Sequence, residues 1–356
     1  AHLFERVTLF VFFVFLKADL VFYARFFIMV AAQNKFETTG SILVAGSLAF
    51  DFIMRYAGLF KEHILPERLD SINLSFLTER ARKERGGCAG NIANALAMLG
   101  EHPRIVATAG GDFEQYRFYL ENRGVDTSCI AVYEDELTAT CTVCADKCDN
   151  QLTFVSVGAM AEAHNLDLSK FATEQTKLAI ISPDDPKAMN QHCEEARKAG
   201  IPFIYDPSFQ VIAFSGEQLL TDVKGAKALI VNDYEFSLFL DKTGLTQPQL
   251  NEIVEVIIVT KGGEGSTVYT NKGEVLHIDP VKVEAVDPTG AGDAFRGGLI
   301  YGLLHGLSLK TSAQLGSVCG AYAVEHLGTQ NYSFTMDAFK KRYESTFNEP
   351  APSCLA

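Results

Sequence analysis

Compact apolar runs recur along the chain, each closed by small or polar residues. Ile42–Val44 runs into Gly46 and Ser47, Ile105–Thr108 into Gly110 and Gly111, and Leu178–Ile181 into Ser182 and Pro183. The pattern returns at Phe203–Tyr205 before Asp206, at Ala228–Val231 before Asn232, and at Val256–Thr260 before Lys261, Gly262 and Gly263. Runs this short and this apolar suit strands covered on both faces. Between them, helical spacing predicts helices over Gly90–Leu99, Phe113–Asn122, Pro186–Ala199, Gly216–Val223 and Tyr234–Leu240. The alternation predicts an α/β fold, a mostly parallel sheet with helices on both faces. Small and polar residues gather just after the strands, which marks the carboxyl edge of the sheet as the ligand side. Two stretches, near 52–85 and 129–157, break the alternation with charged and β-prone pieces. Together they predict a small antiparallel β lid over that edge.

The expected organisation is an amino-terminal extension over 1–40, one domain over 41–348 and a loose tail over 349–356. The extension holds an apolar run at residues 7–16, bounded by Arg6 and Lys17. A run of this length is too short for a bilayer, which takes about 20 residues, and no small-x-small cleavage site follows it. Met29 is the expected natural start, and an amphipathic anchor is the alternative.

Charge narrows the function. The net charge is −13, with 31 basic against 44 acidic residues, so neither nucleic acid nor an anionic membrane is expected as partner. Hydrophobic residues make up 47% of the chain, enough for a large core. The eight cysteines are unevenly spread and read as free thiols of a cytoplasmic protein. Cys141, Cys144 and Cys148 have a spacing that invites a metal, but their flanks read as hairpin strands with no partner ligands nearby.

The most informative run is Asp287-Pro-Thr-Gly-Ala-Gly-Asp293-Ala-Phe-Arg-Gly-Gly298. Val281–Val286, rich in β-branched residues, predicts a strand leading into it. Gly290 and Gly292 allow a tight turn, and apolar residues at helical spacing follow from Ala291. A helix opened by a glycine turn offers free N–H groups and a positive dipole end to phosphate. Asp293 in the first turn would stand beside that anion hole as a base for an attacking hydroxyl, which points to phosphoryl transfer to an alcohol. Taken alone, the run is equally a capped helix. Neither a G-x-x-x-x-G-K-[ST] loop nor a G-x-G-x-x-G after the first strand occurs, which argues against P-loop and dinucleotide enzymes.

Asp287–Gly298 resembles the carboxyl-side signature of the ribokinase-like (PfkB) carbohydrate kinases. Arg85–Asn91 (RGGCAGN) resembles their amino-side glycine motif, and Asn232-Asp-Tyr-Glu235 their N-x-x-E motif. SILVAGSLAFDFIMR, LPERLDSINLSFL, DPSFQ, SAQLGS and LGTQ are similar to the family's bacterial-type adenosine kinases. The resemblance spans roughly residues 42–345. It implies a ribokinase-like fold and phosphate transfer from ATP to adenosine, a purine-salvage reaction. A sugar or broader nucleoside acceptor is the alternative.

By the same resemblance, Asp293 is the base and Gly290, Ala291 and Gly292 bind the moving phosphate. Ser47, Asp51, Gly87, Asn91 and Gln210 face the nucleoside, with Asp51 on the ribose diol. Phe209 departs from the polar residue expected beside Gln210. Asn232, Thr260, Gly262, Gly265 and Gly292 face ATP. Glu235 orders Mg2+ through water, although Asn232 and Glu235 also fit a helix capping box. Relatives bind a monovalent cation such as K+ near Asp287 and often dimerise through the lid.

Overall fold

The computed structural model describes residues 41–64, 73–148 and 150–355. The expected extension at 1–40, with Met29, lies outside the described residues, as does most of the stretch 65–77. In chain order the strands are β1 Ile42–Ala45, β2 Ala49–Tyr56, β3 Thr78–Gly86, β4 Arg104–Gly110, β5 Ile130–Tyr133, β6 Ala139–Ala145, β7 Gln151–Ser156, β8 Leu178–Ile181, β9 Phe203–Tyr205, β10 Ala228–Asn232, β11 Val256–Thr260, β12 Ser266–Thr270 and β13 Val275–Ile278. The helices are α1 Cys88–Met98, α2 Glu114–Asn122, α3 Leu168–Phe171, α4 Pro186–Ala199, α5 Gly216–Val223, α6 Asp233–Thr243, α7 Gln247–Asn251, α8 Ala291–Leu304, α9 Leu309–Val324 and α10 Met336–Phe347.

The large sheet has nine strands in the order β13-β12-β11-β10-β9-β8-β1-β4-β5. All neighbours from β11 to β5 are parallel, and β12 and β13 add an antiparallel edge. Alternate residues of each strand face opposite cores. Ile42 and Val44 pack with Ile92, Phe295 and Val318 under α1, α8 and α9. Leu43 and Ala45 pack with Met189, Leu219 and Phe239 under α4, α5 and α6. These runs read as uniformly apolar because both faces are buried, as expected for a ribokinase-like layered fold.

The second sheet has the order β3-β2-β6-β7. β2–β3 and β6–β7 are antiparallel pairs, joined by a parallel contact between β2 and β6. Its edge strand β7 exposes Phe154 and Val155. Ile130–Tyr133 falls inside the stretch expected in the lid but extends the large sheet beside β4 instead. Cys141 and Cys144 lie three apart on β6, an odd spacing that turns them to opposite faces of the sheet.

Two further expectations are corrected. Val281–Val286 is not a strand. The run joins neither sheet; at its end Val286 and Asp287 donate their N–H groups to the Val324 carbonyl at the end of α9, which draws the chain away from the edge strand β13. The tail is not loose either. Leu355 is buried in the core, and the Tyr301 hydroxyl donates to the Cys354 carbonyl at 2.7 Å.

Candidate active site

The carboxyl ends of β1, β8, β9, β10 and β11 line up along one edge of the sheet, and the sequence places a turn or helix start after each. Behind β1, the Ser47 N–H donates to the Pro183 carbonyl at 2.9 Å, tying the turns after β1 and β8 together. The Ser47 hydroxyl accepts the Cys88 N–H at 3.2 Å and its carbonyl accepts that of Ala89, so the amino-side motif is bound to the first turn. Gly87, with φ +87°, makes this approach possible. A Cβ there would lie 2.5 Å from the Ser47 carbonyl oxygen, a contact only glycine avoids.

Asp293 sits in the first turn of α8, whose N-cap Gly290 has φ +80°. A side chain on Gly290 would lie 2.8 Å from Thr329. As the second and third residues of the helix, Gly292 and Asp293 carry N–H groups without a helical acceptor. The Ala291 N–H makes a long 3.3 Å bond to the Pro288 carbonyl. The Asn91 amide donates to Asp293 Oδ2 at 2.8 Å, joining two motifs 202 residues apart.

That Asn91 donates, rather than accepts, follows from its other end. Asn91 Oδ1 lies 2.8 Å from both the Thr329 hydroxyl and the Gln330 amide nitrogen. Gln330 also donates to Tyr116 Oη, which in turn donates to the Gly86 carbonyl at 2.9 Å. Thr329 and Gln330 belong to the LGTQ stretch, to which no role follows from sequence alone. Burial pushes the Asp293 carboxyl up, while Arg296 and hydrogen bonds from Asn91 and Cys88 pull it back.

Asp51 lies on β2, opposite Glu84 on β3. Burial, together with the carboxylates of Asp287, Glu84 and Asp293, raises it to about 6. A carboxylate held among like charges without a cation is poised to accept hydrogen bonds from a ligand's hydroxyls. Asp287 is lowered despite partial burial, because its oxygens accept the N–H groups of Gly328 and Thr289 at 3.0 Å each.

On the other side of the edge, Asn232 and Glu235 form a full capping box on α6, with bonds of 2.7 and 2.8 Å. Glu235 Oε1 also accepts from the Ser208 hydroxyl at 3.3 Å. Ser208 is held at φ +41°, a conformation costly for a residue with a Cβ. Thr260 pairs with Asn232 across the ends of β11 and β10. Gly262 and Gly265 both take positive φ in the turn that follows. Gln210 is occupied by the fold itself, its amide donating to the Asp184 carbonyl at 2.8 Å, and its neighbour Phe209 is exposed.

The structure thus brings Ser47, Gly87, Asn91 and Gly290–Asp293 together around one carboxylate, with Asp51 and Glu235 close enough to act on it or respond to it electrostatically. One feature escaped the sequence reading. Arg296, inside the apolar face of α8, donates from Nε to Asp206 Oδ2 and from Nη2 to Asp206 Oδ1, the latter at 2.6 Å. The signal in the sequence is an arginine set in the otherwise small and apolar helical run Ala294-Phe-Arg-Gly-Gly298, where a charge needs a partner.

Comparison with known proteins supports one family. The model of the pfkB family carbohydrate kinases matches residues 41–335. A nucleoside kinase of Methanothermobacter thermautotrophicus is 32% identical over 305 residues, 84% of this chain and 94% of that one. A nucleoside kinase of Methanocaldococcus jannaschii is 29% identical over 85% of this chain and 96% of that one. Among solved structures, Burkholderia thailandensis nucleoside kinase in complex with inosine is 38% identical, covers 87% of this chain and 99% of that chain, and superposes with a TM-score of 0.77.

Proposed function

Because the chain belongs to the pfkB family of carbohydrate kinases, we propose that it transfers the γ-phosphoryl group of ATP to the 5′-hydroxyl of a nucleoside, with adenosine as acceptor and AMP as product. The observation that carries this reading is the Asp293 carboxylate, set by α8 beside the Gly290–Gly292 turn and held by the Asn91 amide. In the proposed step the 5′-oxygen forms a bond to the γ-phosphorus in line with the breaking bond to the β–γ bridging oxygen. Asp293 takes the hydroxyl proton, and ADP leaves. First-turn N–H groups of α8 and the helix dipole hold the phosphoryl oxygens. Asp51 accepts the ribose 2′- and 3′-hydroxyls. Ser47, Gly87 and Asn91 shape the nucleoside side, with Gln210 acting through the loop it ties down.

ATP is expected over Asn232, Thr260, Gly262 and Gly265. Among the described residues no cluster of three or more His, Cys, Asp or Glu side chains could hold a metal ion. Mg2+ in this reading therefore rests on phosphate and water, with one carboxylate, Glu235, reached through water. Both Glu235 oxygens are already engaged, which favours contact through water over direct ligation. Mg2+ would neutralise phosphate charge. A monovalent cation such as K+ would bind near Asp287 through its surroundings, since both Asp287 oxygens serve backbone N–H groups. The exposed Phe154 and Val155 of β7 support dimerisation through the small sheet. Among the described residues no helix is long and apolar enough to cross a membrane, which fits the proposed cytoplasmic role in purine salvage.

A broader nucleoside kinase is the second reading, favoured by the Burkholderia relative that binds inosine. An acceptor panel with ATP and Mg2+ tests both. Adenosine conversion to AMP supports the first, and comparable turnover of inosine the second. Phosphorylation of ribose or fructose without any nucleoside product overturns both.

A further inference from the structure

Arg296 is the cation buried in an acidic site. On a helix, side chains lean toward the amino terminus, so a residue at i+3 or i+4 reaches back over the first turn. Arg296 is three residues after Asp293 and four after Gly292, and its guanidinium folds over that turn. A Cβ on Gly292 would lie 2.7 Å from Arg296 Nη1. Asp206, after β9, clamps the other side of the guanidinium. Both residues are buried, and a buried ion pair at a functional edge costs desolvation that stability alone does not explain.

We propose that Arg296, clamped by Asp206, is a positioning residue for phosphoryl transfer: it fixes a positive charge behind the Gly290–Gly292 turn and holds the Asp293 carboxyl in the proton-accepting form. This inference rests on the reading of Asp293 as the base. Asp293 feels Arg296, Glu235, the Asn91 amide and the Cys88 thiol, and it acts in turn on Asp51, Asp206 and Tyr332. Arg296 faces Asp206, Asp293, Glu235 and Cys88. Every other charged group in this set is an acid. Without Arg296, burial and these acids would act on Asp293 with no cation of this set to oppose them, and its carboxyl would rise further.

The sign differs between the two partners. Removing Arg296 withdraws the attraction, so the Asp293 midpoint rises. Removing Asp206 withdraws a like charge and leaves Arg296 in place, so the midpoint falls or stays. A merely structural pair would give losses independent of pH in both variants.

The test is a carbon-13 titration of the Asp293 carboxyl in the free protein, assigned by its loss in Asp293→Asn. It needs no acceptor, so it answers even if adenosine is the wrong substrate. Arg296→Met raises the midpoint by about one to two units, Arg296→Lys restores most of that shift, and Asp206→Asn does not raise it. The acidic limb of kcat against pH moves with the midpoint in Arg296→Met, with KM for the acceptor changed less than kcat. If Arg296→Met does not fold, Arg296→Met/Asp206→Asn, which removes both partners of the ion pair, shows the same direction with a smaller shift. A midpoint that stays put in the folded Arg296 variants, or a Lys variant that behaves like Met, overturns the proposal. A shifted midpoint in a protein that phosphorylates no nucleoside overturns the assigned function instead and leaves the electrostatic role intact.

Discussion

Asp51→Asn separates the binding of ligand from the stability of the fold. The Asp51 carboxyl is raised from 3.8 to about 6 in the folded protein, first by burial and then by Asp287, Glu84 and Asp293. The native state therefore binds this proton more tightly than the unfolded chain does, and ionising Asp51 destabilises the fold as pH rises from about 4 to about 6. Two units correspond to about 3 kcal/mol, and solvent at this partly open site reduces that to about 2 kcal/mol. Asparagine keeps the shape and loses the charge. At pH 7.5 the variant should be about 2 kcal/mol more stable than the parent in urea unfolding, and at pH 4 the two should coincide. Calorimetric binding should move the other way, with adenosine weakened at least tenfold and 2′,3′-dideoxyadenosine nearly unchanged. A gain independent of pH, or equal losses for both ligands, would refute the reasoning.

The remaining predictions rest on other contacts. Gly87→Ala forces a Cβ against the Ser47 carbonyl at positive φ and should cost about 2–4 kcal/mol of stability, read as a lower urea midpoint with unchanged slope. Glu235→Gln retains a capping-box side chain, so α6 should keep its stability while the Mg2+ concentration for half-maximal rate rises about tenfold. If α6 melts earlier instead, the Glu is needed mainly as a cap. Gln330→Leu strips a donor from Asn91 Oδ1 and Tyr116 Oη and should cost about 1–3 kcal/mol and lower kcat more than it raises KM. A variant with parent kinetics would remove Gln330 from the network that orients Asn91.

Much of this was legible in the sequence. The parallel strands β1, β4 and β8–β11 were visible because burial on both faces leaves an unbroken apolar run. The capping residue Asn232 likewise announced α6. The hairpin of β12 and β13 escaped because its strands alternate weakly, although Asn271-Lys272-Gly273 carried a turn signal. Val281–Val286 misled because β propensity reports a surface that fits a sheet, and this run lies outside both sheets, its end held by the Val324 carbonyl instead. The motifs located Asp293, Asn91 and Glu235, since glycines and caps are local features. The partners that orient these side chains were not local. Asn91 is held by Thr329 and Gln330, more than 230 positions away, and Arg296 by Asp206, 90 positions away. Pairings of that range are set by the order of strands and helices, which a single sequence does not spell out.

The most direct test is a single turnover of γ-labelled ATP with adenosine by the parent and by Asp293→Asn, with the labelled product identified. The account predicts label on the 5′-oxygen of AMP, and a rate at least about 10³-fold lower in the variant while adenosine still binds. Label on another hydroxyl, or a variant that turns over near the parent rate, would contradict it.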